Sequence, residues 1–97
     1  MTKMTTEEAF VKVLQKHGIA HAFGIIGSAM MPISDLFPSA GIQFWDAAHE
    51  GNAGMMADGY TRATGDMSMM VAQNGPGITN FVTPVKTAYW NHSCLLY

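Results

Sequence analysis

Two places in this sequence combine residue types and spacing suited to chemistry. The first is Glu50, directly after His49 at a predicted strand-to-helix junction. An acid there is stabilised by the helix dipole, and most such acids do nothing more. Its neighbours, Phe44-Trp45 before and Met55-Met56 after, favour burial. A buried carboxylate needs a partner or has a raised pKa, and both conditions are common at active sites. The second place is the loop Gln73-Asn74-Gly75-Pro76-Gly77. Glycines let a backbone approach a ligand closely, although an ordinary tight turn explains the same residues. The loop is neither a Walker A sequence nor a G-x-G-x-x-G fingerprint, so nucleotide phosphates are not implied.

Other reactive side chains carry less. His17, His21, His49 and His92 share no metal-ligand spacing, and Gly18 interrupts the helix between the first two. No metal ligands are expected. Asp58 and Arg62, four apart, read as a surface or capping pair. Ser28 has no base nearby, which leaves a nucleophile without activation. Trp90-Asn91-His92 reads first as a packed helix end and second as a pocket lining.

The elements that would position these groups follow from the pattern. Thr5 and Glu8 form a capping box. Phe10, Val13, Leu14 and His17 then recur at helical spacing, and Gly18 ends the helix. Strands are expected over 19–26, 42–46, 67–73 and from 94, with helices over 29–37, 49–64 and 78–90. Gly51, Gly54 and Gly59 lower the propensity of the 49–64 helix. Such a helix makes sense where another backbone must come close. Pro84 should kink the 78–90 helix or delay its start. Alternation of this kind predicts an α/β fold, a parallel sheet with crossover helices. Ligands of such sheets bind beyond the carboxyl ends of the strands. Gly27-Ser28, Ala48-His49-Glu50 and residues 74–77 all fall there.

Composition limits the alternatives. The chain has 97 residues, at most one small domain. Charged residues make up 12%, against roughly 25% in a usual soluble domain. The faces of the chain are therefore expected to be covered by more polypeptide or a partner. A net charge of -2 and five scattered basic residues argue against nucleic acid. The single cysteine permits no internal disulfide. No secretory signal pattern and no apolar run of about 20 residues are seen, so a cytoplasmic protein with no membrane contact is expected. The pairs Met30-Met31, Met55-Met56 and Met69-Met70 read as core filler.

Three segments then resemble one family together. Phe23 to Ser28, the run H-E-x-x-A-x-x-M-A-x-G-Y-x-R-A-T-G from His49 to Gly65, and G-P-G-x-T-N from Gly75 to Asn80 are similar to the pyrimidine-binding domain of thiamine-diphosphate enzymes of the acetohydroxyacid synthase type. The stretches 24–32, 44–46, 73–77 and 86–92 are most similar to a branch that transfers an acetyl group to phosphate. The resemblance implies that residues 1–97 are the N-terminal portion of that domain, an incomplete pyrimidine-binding domain. It implies Glu50 as catalytic residue, hydrogen-bonded to a pyrimidine nitrogen of the cofactor so that the exocyclic nitrogen can deprotonate the thiazolium. Burial would keep that carboxyl pKa high enough to share a proton. Ile25, Ile26 and Gly27 would lie along the cofactor, and Pro76, Asn80 and nearby Gln73 at its pyrimidine. Ile25-Ile26 departs from the Tyr-Pro common in the synthases. The implied cofactors are thiamine diphosphate and Mg²⁺, the latter held by a domain whose Gly-Asp-Gly motif is absent here. The implied partners are a small-molecule substrate and a second subunit in a homo-oligomer, with the site between subunits. A non-catalytic chain that keeps the fold, or one acting only beside a separate diphosphate-binding chain, is the other reading.

Overall fold

The computed structural model describes residues 3–96. Helix α1 (Thr6–Lys16) begins where its cap requires. The Thr5 Oγ1 accepts the Glu8 N–H at 3.2 Å, which caps the helix, and donates to Glu8 Oε1, a side-chain pair in place of the return bond to the Thr5 N–H that a capping box has. Gly18, at φ +77°, ends it in the left-handed region. The buried stripe of α1 is Val11 and Leu14; Phe10 and Val13, expected inside, are exposed. Two turns of pattern therefore located the helix but misjudged its rotation.

Strand β1 (His21–Gly24) is shorter than the sequence suggests, and Ile25 and Ile26 lie in the loop beyond it. The expected helix over 29–37 is a 3₁₀ turn (Ser28–Met30), a single turn α2 (Met31–Ser34) and, after a further turn, a second 3₁₀ segment (Pro38–Ala40). Strands β2 (Gln43–Asp46) and β3 (Ser68–Val71) flank helix α3 (Glu50–Thr64). The predicted last helix is divided into α4 (Pro76–Thr79) and α5 (Val82–Trp90). Pro84 falls in the first turn of α5, where backbone N–H groups have no intrahelical partner. Strand β4 (Leu95–Leu96) completes the described sheet.

All strand pairs are parallel, in the order β2-β1-β3-β4. Apolar residues leave both faces of the sheet. Ala22, Met69 and Val71 pack with Val11, Leu14 and Phe37 on one side, while Phe23 and Met70 pack with Ala53, Ala57 and Phe81 on the other. All four β3 residues are buried, as a central parallel strand requires. The chain leaves β1 for β2 on one side, then returns by α3 to β3 on the other side of β1. The carboxyl ends of β1 and β3 therefore flank the reversal point of the sheet, where ligands of such folds bind.

Glycine makes the α3 layer possible. A Cβ on Gly54 would overlap the Pro84 ring, so these two residues bring α3 and α5 together. Ser68 donates to the Ala57 carbonyl at 3.1 Å, and its Oγ lies 2.8 Å from the Thr61 hydroxyl, which fastens α3 to β3. Asp58, expected at the surface, is buried and reaches Arg62 at 3.0 Å. The methionine pairs divide: Met69 and Met70 are core, whereas Met55 and Met56 are exposed. Trp90, expected to pack, is 73% exposed at the end of α5, and Val82 at its start is 66% exposed. No helix among the described residues is long and apolar enough to cross a membrane.

Gly59 meets nothing within 4 Å where a Cβ would stand. Gly59→Ala is therefore expected to stabilise the chain by about 0.5–1 kcal/mol, read from the urea midpoint.

Candidate functional site

The sheet positions three loops at one end. Gly27 follows β1, Glu50 opens α3 after β2, and residues 73–80 follow β3. The loop ends are pinned by the backbone: Ile25 N–H donates to the Val71 carbonyl at 3.1 Å and Ala47 N–H to the Gly24 carbonyl at 3.2 Å. A Cβ on Gly24 would overlap the Val71 carbonyl, so β1 and β3 approach too closely there for any side chain.

Glu50 is half-buried at the head of α3. Its Oε1 accepts the Asn80 side-chain amide at 3.0 Å. Its Oε2 lies 3.0 Å from where Gly77 would carry a Cβ, and the same position is 3.5 Å from the Gln73 Cβ. The Gln73 side chain in turn fills the space above Gly27, where a Cβ would overlap it. Pro76 is the first residue of α4, so its missing N–H costs no helical bond. Gly75 stands at φ +70° and ψ -113°, a conformation that other residues rarely adopt. Glu50, Asn80, Gln73 and Gly27 are thus drawn together around Gly77, with Pro76 beside it. Ile25 and Ile26 run between β1 and Gly27, half-buried and exposed respectively.

The electrostatics reverse one expectation. The Glu50 carboxyl is held below the usual carboxylate range, chiefly by the Asn80 amide, then by its own backbone N–H; burial opposes this, and His49 adds to it. The site is open on one side, so desolvation does not dominate. A group lowered in this way stabilises the fold above its ordinary pKa and loses that contribution as pH falls through the folded value. Asn80→Ala is expected to move the Glu50 pKa upward towards its ordinary value, measured by carboxyl NMR titration; an unmoved value would remove Asn80 as the main cause.

Sequence reasoning missed the Glu50–Asn80 bond because the partners are thirty residues apart. It also passed over His49, whose Nδ1 accepts the Gly51 N–H at 2.9 Å. The preference for polar caps at helix starts is the signal that could have found it. His21 has a structural role: its Nδ1 accepts the Trp45 indole N–H at 3.0 Å, and its ring centroid lies 4.8 Å from that of Tyr60. A groove of ≈ 500 Å³ beside α5 is lined by Val82, Val85, Tyr89 and Leu95 among others, and by none of the site residues.

The family described as "Thiamine pyrophosphate enzyme, N-terminal TPP binding domain" matches residues 4–97. The chain belongs to this family. It is 84% identical over 94 residues to a sulfoacetaldehyde acetyltransferase of Roseovarius nubinhibens, covering 97% of this chain and 16% of that protein. It is 40% identical over 91 residues to an acetolactate synthase of Arthrospira platensis, covering 90% of this chain and 16% of that protein. Among solved structures, a thiamine diphosphate-dependent 4-hydroxybenzoylformate decarboxylase of Rhodococcus jostii superposes with a TM-score of 0.87 at 27% identity, over 95% of this chain and 17% of that one. The chain thus spans about one sixth of the length of these relatives.

The family's cofactor fits the residues present. A nitrogen heteroaromatic ring needs a carboxyl oxygen at its edge, and Glu50 Oε2, beside Gly77 at the head of α3, is the oxygen that Asn80 does not take.

Proposed function

We propose that this chain carries the cofactor-activating carboxylate of a sulfoacetaldehyde acetyltransferase, which converts sulfoacetaldehyde and phosphate to acetyl phosphate and sulfite. The observation that carries this reading is Glu50: an acid at a helix start, fastened by Asn80 and set against the bare backbone of Gly77. The 84% identity to the Roseovarius nubinhibens protein supports the substrate.

Thiamine diphosphate, when bound, supplies the carbon nucleophile that attacks the substrate carbonyl. Glu50 would share a proton between its carboxyl and a pyrimidine nitrogen. Asn80 fixes the direction of the carboxylate. Ile25 and Ile26 would cover the cofactor on the β1 side, with Gln73 and Pro76 at the pyrimidine. Proton sharing needs a carboxyl pKa above that of the open site. A bound ring and a covering partner would exclude water and move it in that direction.

The same reading holds that residues 1–97 are the N-terminal portion of the pyrimidine-binding domain. It places Mg²⁺ on another part of the enzyme and the complete site between two subunits of a cytoplasmic homo-oligomer. The exposed apolar side of α5 agrees with a covered face. The test is sulfite release from sulfoacetaldehyde and phosphate by a polypeptide of the relatives' full length. Failure to release sulfite while a 2-oxo acid is consumed would remove this substrate. The 97-residue chain by itself, given thiamine diphosphate, Mg²⁺ and both substrates, is expected to release none.

A further inference from the structure

His49 has no role in the mechanism above, yet it caps the turn from which Glu50 projects. It is the cap residue of α3, with extended backbone at φ -143° and ψ 137°. Its Nδ1 accepts the Gly51 N–H at 2.9 Å, a bond that most helices obtain from Ser, Thr, Asp or Asn. Gly51 is shaped to this cap. A Cβ there would stand 2.9 Å from His49 Nδ1 and 3.6 Å from the Asn80 carbonyl. The capped turn therefore lies on Asn80, and Asn80 returns its side-chain amide to Glu50 Oε1 at 3.0 Å. His49, Gly51, Asn80 and Glu50 form a circuit in which two hydrogen bonds are joined by the close approach of the Asn80 carbonyl to Gly51.

We propose that His49 is a positioning residue for Glu50: by accepting the Gly51 N–H it fixes the first turn of α3 and the direction in which the Glu50 carboxylate leaves the helix. Glu50 is the first residue after the cap, so any rotation of that turn displaces its carboxylate. An accepting Nδ1 carries no proton, so the neutral ring is protonated at Nε2. The inference rests on the proposed role of Glu50 for its catalytic meaning, but the circuit itself can be tested without cofactor.

Nitrogen-resolved NMR of the chain should show His49 as the Nε2–H tautomer. The Asn80 side-chain amide resonance, displaced by its bond to Glu50, should return to a solvent-like position in His49→Ala and remain displaced in His49→Asn, because asparagine caps equally well. An Nδ1–H tautomer, an Asn80 resonance unmoved in His49→Ala, or one lost equally in His49→Asn would overturn the proposal. In a polypeptide of the relatives' full length, His49→Ala should lower kcat about tenfold with KM little changed, since small misplacements of reacting groups are costly. His49→Asn should restore kcat to within about threefold. If the unmutated polypeptide releases no sulfite, the proposed substrate fails and the NMR result alone decides the positioning role.

Discussion

Glu50→Gln, in a polypeptide of the relatives' full length, is expected to slow exchange of the cofactor's thiazolium proton and release of sulfite by about 100-fold or more, the scale of a lost proton-transfer group. Glutamine keeps the shape of the side chain. It can still accept the Asn80 amide, so helix α3 and its cap should survive. What it lacks is an oxygen that can share a proton with a ring nitrogen. Circular dichroism and thermal midpoint should therefore match those of the unmutated protein while turnover falls. Exchange at the normal rate in this variant would remove the activating role of Glu50. A variant that unfolds would instead mean that the charge of Glu50 is structural. Glu50→Asp separates the two outcomes, because it keeps the proton chemistry and shortens the reach.

Gly24→Ala is expected to cost about 3 kcal/mol or more in stability, which for a chain of this size lowers the melting temperature by roughly 12 °C or more. The added Cβ would overlap the carbonyl of Val71, which belongs to backbone and cannot swing aside. Gly24 pairs with Asp46 on one side and Val71 on the other, so relief requires parting the centre of the sheet. The loops that carry Gly27 and Gln73 start a few residues beyond, and cofactor binding should fall with stability. Gly59→Ala, on the open side of α3, should shift the midpoint in the opposite direction. Equal shifts for both variants would mean that helix and strand glycines act through chain entropy alone.

The alternation of elements was legible because apolar runs, caps and glycine stops are local signals. Thr5, Gly18 and Gly65 end their helices as their types require, the last at φ +78°. The glycine content of α3 correctly implied a close neighbour, and Pro84 correctly implied a delayed helix. Rotation and exposure were less legible. Phe10, Val13, Met55, Met56 and Trp90 are apolar yet exposed, and Asp58 is charged yet buried. Residue type states a preference, while the face that finds a partner depends on which elements pack against it.

By itself the sequence determined the parallel α/β fold and the three loops at the strand ends, and it singled out Glu50 within them. Those properties are written in patterns of a few consecutive residues. Only the tertiary structure decided that Glu50 is bonded to Asn80, that Gly77 clears the space beside it, and that His49 holds the turn from which it projects. It also decided that the carboxyl pKa of the open site is lowered rather than raised. The reason is that hydrogen bonds and desolvation depend on distances between residues far apart in the chain, which the order of the sheet sets and no local pattern records.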